Sequence, residues 1–148
     1  MQHLYLGVQP MGPFVNQSHG VLTSPAHLKA FGDWAPLFIA LRGKQWFLSA
    51  DAVVVRAPSS AKANMFAVGS SRYAIAVVAG DGTSTTLVVG ALSGVAWKEV
   101  TALALLPGAA APIALELHEV AGGSASLTTP PLPRGSVLCV LKVAPASA

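Results

Sequence analysis

The sequence predicts an all-β fold, an antiparallel two-sheet β-sandwich of about eight strands with an irregular N-terminal arm. Two observations carry this. From residue 35 to 143, short apolar runs recur roughly every ten to fifteen residues, and Gly/Pro-rich segments punctuate them. No repeat with a period of about 20–50 residues runs through the chain, which argues against a propeller or solenoid.

Residues 1–34 read as the arm, or as the remnant of a preceding domain, and residues 35–148 as the sandwich. Within the arm, Pro25 to Phe31 suits one or two helical turns. Ser24 would cap them, Pro25 would take the first helical position and Gly32 would end them. The run Ala35 to Leu41 reads as the first strand. Arg42-Gly43-Lys44 then turns into a long strand over 45–56, with Trp46, Leu48, Ala50, Ala52 and Val54 on one face. Residues 57–63 have loop composition, and 64–68 suits a short strand. Arg72 to Ala79 reads as a strong strand. Gly80-Asp81-Gly82 would turn it into a hairpin with Thr83 to Val89. Thr101 to Leu106 and Ile113 to Val120 form a second pair about Pro107-Gly108. Pro130, Pro131 and Pro133 mark an extended connection into a closing strand over 136–143. The expected core faces are Ile75/Val77, Leu103/Leu105, Ile113/Leu115/Leu117 and Val137/Cys139/Leu141.

Composition narrows the functional classes. The 148 residues are 53% hydrophobic and only 10% charged, against an ordinary charged fraction of about 25%. A surface so poor in charge either exposes apolar area or covers it with a partner, so the expected partners are a missing catalytic domain, a carbohydrate or a second copy of the chain. The net charge is +3, but the nine Lys and Arg are scattered. Nucleic-acid binding needs clustered cations and is not expected. The apolar stretch 102–115 is interrupted by Pro107, Gly108 and Pro112, so no membrane span is expected. The N-terminus lacks a basic region followed by an apolar core, which is the pattern of a secretory signal. The single cysteine, Cys139, permits no intrachain disulfide and reads as a buried small hydrophobe.

No catalytic constellation emerges, and no cofactor is expected. His3, His19, His27 and His118 lack metal-ligand spacing, and one cysteine cannot complete a zinc set. No Gly-x-Ser-x-Gly elbow occurs, and Gly7 and Gly12 frame no phosphate loop. A glycosidase needs two facing carboxylates, and the six acids are scattered. Glu116 and His118 share one strand face, which reads as solvent-facing. Asp81, between two glycines, reads as a turn residue. The aromatics are the better candidates for a ligand. Trp97, Trp34 and Tyr5 could stack on sugars. Trp97 is expected to be exposed because Lys98 and Glu99 follow it, whereas Trp46 and Tyr73 read as core.

The order of segments resembles the C-terminal end of certain large bacterial glycoside-hydrolase-like proteins, in which a β-sandwich follows a catalytic (β/α)-barrel. The resemblance rests on soft patterns: 7–14 (GVQPMGPF), 16–19 (NQSH), 35–38 (APLF), 41–48 (LRGKQWFL), 64–66 (NMF) and 132–138 (LPRGSVL). It implies that the last barrel segment falls within about residues 1–20 and that the sandwich is the rest. It further implies a non-catalytic accessory role, packing against the barrel or contacting carbohydrate, since the catalytic carboxylates of such enzymes lie in the barrel. A self-contained oligomeric binding protein is the alternative. His19 would sit at a barrel-end loop, but Ser18 stands where an acid is expected before it.

Overall fold

The computed structural model describes residues 25–49, 51–90 and 92–144. The arm over 1–24, with Tyr5 and His19, lies outside the described residues. Two antiparallel sheets form the body, so the all-β two-sheet sandwich is observed, with ten strands among the described residues rather than about eight. The strands are β1 (Lys44–Trp46), β2 (Val53–Ala57), β3 (Lys62–Val68), β4 (Arg72–Val78), β5 (Thr86–Val89), β6 (Val100–Leu105), β7 (Ile113–Leu115), β8 (His118–Val120), β9 (Ser124–Thr128) and β10 (Ser136–Val143). One sheet runs β1-β3-β4-β10-β6-β7 and the other β2-β5-β9-β8. Among the described residues one α-helix, α1 (Pro25–Ala40), forms a third layer on the outer face of the six-stranded sheet.

α1 corrects the reading of residues 35–41 as a strand. Trp34, Leu37, Phe38 and Leu41 recur at helical spacing and pack on Phe66, Ala74, Ala76 and Leu138 of the sheet below. Burial of Leu37 and Leu41, at 0% and 1% exposure, outweighs the helix-breaking tendencies of Gly32 and Pro36. The helix therefore crosses position 34/35, where the sequence suggests the sandwich begins.

The expected long strand over 45–56 is two strands in different sheets. β1 lies at one edge of the six-stranded sheet and β2 at one edge of the other. The amide of Ala52 donates to the Ser49 carbonyl at 3.1 Å in the turn between them. Gly90 makes this crossing possible. Its amide donates to the Ala52 carbonyl at 3.0 Å, and its Cα lies so close to the Asp51 carbonyl that any Cβ would collide with it.

The expected hairpin about Asp81 is likewise absent. β4 is a central strand, with β3 on one side and β10 on the other, so it offers β5 no free edge. The chain crosses instead to the second sheet, where β5 pairs with β2 and β9. Asp81 still serves the turn, as its carboxylate accepts from the Thr83 amide (3.1 Å) and hydroxyl (2.8 Å). The second expected pair survives in part, since β6 pairs with β7 but β8 joins the other sheet.

Two cores result. Ile75, Val77, Val137, Cys139 and Leu141 fill the space between the sheets, as expected from alternation. Their strand neighbours Ala74, Ala76, Leu138 and Val140 fill the space under α1. β4 and β10 are buried on both faces, which explains their unbroken apolar sequences. In β6 the inter-sheet face carries Ala102 and Ala104 rather than Leu103 and Leu105, because pairing sets them opposite Leu141 and Cys139. Leu105 turns to the helix side. At the edge, Ile113 is 41% exposed, while Leu115 and Leu117 pack partly against the inter-sheet core.

Candidate functional site

Two surface features are candidates for function. The first is a groove where the chain passes from β7 to β8, which are edge strands of different sheets. Leu117 tucks inward at this crossing, and Glu116 and His118 on either side of it face outward. Glu116 Oε2 lies 3.7 Å from His118 Nε2. The β8–β9 register, His118 opposite Ser126, sets Glu116 opposite Thr128 when continued two residues back. These side chains, with Ile113, Leu115 and Pro130, line an open groove of about 380 Å³. Thr129 anchors its floor: its hydroxyl accepts from the Thr85 amide (2.9 Å) and donates to the Pro130 carbonyl (3.0 Å). The Thr128 and Thr86 hydroxyls lie 3.1 Å apart. The lining holds one carboxylate, one imidazole and two threonine side chains beside aliphatic residues. A paired-carboxylate hydrolysis would need a second acid there.

The second feature is the α1 side of the molecule. Among the described residues, seven large hydrophobic side chains are exposed, and five of them fall between residues 28 and 48: Leu28, Phe31, Ile39, Trp46 and Leu48. Leu28, Phe31 and Ile39 lie on one stripe of the helix, away from its packed face. Trp46 pairs with Phe66, and paired residues project to the same face, so its indole stands on the α1 side. It rests on the buried Phe66 ring, with centroids 4.9 Å apart and planes tilted by 54°.

α1 is tied to the sandwich through Asp33. Its carboxylate accepts from Arg134 Nη1 at 2.6 Å and from Lys29 Nζ at 3.0 Å, and its carbonyl accepts from the Gly108 amide at 2.9 Å. Gly108 has φ of +76°, and a Cβ there would press on the Asp33 carboxylate. The Arg134 guanidinium, then the Lys29 ammonium, hold the Asp33 carboxyl below its ordinary range. The Asp81 carboxyl is lowered too, chiefly by its bonds from Thr83.

The aromatic candidates are rearranged relative to expectation. Trp97 is buried, with 5% exposure, and its Nε1–H donates to the Gly123 carbonyl at 2.7 Å. It opens a one-turn 3-10 helix that turns the indole inward and Lys98 and Glu99 outward, so no ring face is left for a sugar. Trp34 is half-buried against the cluster beneath α1. Trp46, expected in the core, is 49% exposed, and Tyr73 is half-buried, edge-on to Phe47 at 5.8 Å. Trp97 thus belongs neither to the groove nor to the exposed α1 side, and Tyr5 and His19 lie outside the described residues. Cys139 is fully buried, and desolvation pushes its thiol up to about 12. Among the described residues, no group of three or more His, Cys, Asp or Glu side chains is placed to hold a metal ion, and no helix is long and apolar enough to cross a membrane.

No family model matches the chain, and no curated protein matches it. Among solved structures, it is similar to the catalytic domain of the GH30 xylanase C from Talaromyces cellulolyticus, with a TM-score of 0.38 and 19% sequence identity. That match covers 62% of this chain and 21% of the xylanase chain.

Proposed function

We propose that the chain is a non-catalytic β-sandwich module, akin to the accessory domains of glycoside hydrolases, which packs against a separate protein body through its α1 side. One observation carries the reading: Leu28, Phe31, Ile39, Trp46 and Leu48 are all exposed within one short stretch of chain, the first three on the outer stripe of α1 and Trp46 on the same side of the six-stranded sheet. Exposed apolar surface costs roughly 25 cal/mol per Å², so covering a few hundred Å² is worth several kcal/mol.

The charges around that face favour a different body over a second copy. Arg42 and Lys44 accompany the apolar residues, while Lys29 and Asp33 already engage each other and Asp33 also holds Arg134. Self-association would bring like charges together, whereas a partner with an apolar centre and a carboxylate rim would complement them. A catalytic barrel, as the segment resemblance implies, is the body proposed.

Hydroxyl-radical footprinting tests this by comparing the protein purified from its natural source with the chain produced alone. Protection of the five side chains only in the native protein supports the reading. Equal labelling in both overturns it. Protection in both, with a concentration-dependent mass in light scattering, would favour the self-contained oligomer instead.

A further inference from the structure

We infer that the body docking on the α1 side seats an amphipathic helix over β1, alongside α1 and antiparallel to it. The inference rests on the docking reading and names the element that makes the contact.

The outer face of the six-stranded sheet has room for a second helix. α1 sits on Phe66 of β3, Ala74 and Ala76 of β4, and Leu138 and Val140 of β10, with Leu105 of β6 beside them, so its line runs near the boundary of β4 and β10. β1 lies at the sheet edge, beyond β3. With strands about 4.8 Å apart, β1 stands about 10–12 Å from the line of α1. Packed helices lie about 8–10 Å apart, so a helix in contact with α1 on that side rests over β3 and β1.

The side chains bordering that strip are apolar. At about 100° of turn per residue, Asp33 falls on one flank of the packed face of α1, and Leu28, Phe31 and Ile39 fall on the other. Asp33 bonds to Gly108 and Arg134, which border the ends of β6 and β10. The apolar flank therefore lies on the side of β3 and β1. There Trp46 rests half-exposed on Phe66 and forms an aromatic floor. A helical wall beside such a floor takes a rod with an apolar stripe.

Charge sets the direction of the rod. No acidic residue occurs between Asp33 and Asp51, while Arg42 and Lys44 follow the C-terminus of α1. Among the described residues, neither cation is in an ion pair. Asp and Glu are favoured in the first turn of a helix, where the dipole is positive. A helix whose acidic first turn meets Arg42 and Lys44 runs antiparallel to α1.

The test is zero-length carbodiimide coupling on the protein from its natural source, followed by peptide mass spectrometry. The Lys29–Asp33 pair, 3.0 Å apart, supplies an internal positive control. Lys44 should form an amide with an Asp or Glu of the body. Apolar residues should follow that acid at three- and four-residue spacing over about two turns, without proline. The inference is overturned if Lys44 stays uncoupled while the Lys29–Asp33 product forms. It is also overturned if Lys44 joins a carboxylate of this chain, or an acid in a stretch without that spacing. Where the footprint shows residues 28–48 protected only in the native protein, any of these results removes the helix and leaves the docking reading standing. Equal footprints in both preparations remove the docking reading, and this inference with it.

Discussion

Arg134 and Asp33, 101 residues apart in the chain, share a 2.6 Å hydrogen bond that joins the helix to the turn before the last strand. Because the carboxyl is lowered in the folded state, the group adds stability above its unfolded value of about 3.9, and this is lost as pH falls through the folded value. Asp33→Asn should therefore lower the melting temperature at neutral pH and flatten its decline below about pH 4. Parallel pH-melting curves for the two proteins would contradict this.

Gly90→Ala should be costly although alanine is a small residue. Its Cβ would meet the Asp51 carbonyl, and the backbone at the crossing into β2 would have to shift. Overpacking of this kind costs about 1–3 kcal/mol. Chemical denaturation checks it, and an unchanged midpoint would mean that the crossing is plastic.

Two tryptophans should respond in the opposite order to their sequence surroundings. Trp97→Phe keeps an aromatic ring in the core but leaves the Gly123 carbonyl without its donor, an expected loss of about 1–3 kcal/mol. Trp46→Ala removes a half-exposed ring and should cost less. Equal losses in urea would show that Trp46 is held more firmly than its exposure indicates.

Activity assays should be negative. The groove offers one carboxylate, so no turnover is expected on aryl-glycoside panels. Hydrolysis abolished by Glu116→Gln would refute the non-catalytic reading.

Continuous apolar runs were legible from sequence because central strands bury both faces, which is why β4 and β10 lie within a residue of their expected bounds. Partners were not legible. Asp81 and Gly82 suit a hairpin locally, but whether one forms depends on β10, more than fifty residues later, occupying the edge of β4. Gly32 and Pro36 concealed the second half of α1 because its support comes from the sheet rather than from its own propensity. Side-chain alternation continues through the crossing at 47–52, so nothing in the pattern marks it. Glu116 and His118 do both face outward, but they flank the crossing from β7 to β8 rather than sharing one strand, and Ile113 and Leu115 line the groove beside them. Thr128 and Pro130 were not legible as their neighbours, because the β8–β9 pairing brings them in.

The position of β10 bears on how the protein is made. It is the last of the described strands, yet it lies mid-sheet between β4 and β6 and contributes to both cores. During synthesis, β4 and β6 leave the ribosome with open edges and uncovered apolar faces, and only β10, which emerges after both, can close them. Until then the nascent chain is exposed to mispairing. Its yield in a cell should depend on how quickly residues 136–143 follow, and on chaperones that shield the gap in the meantime.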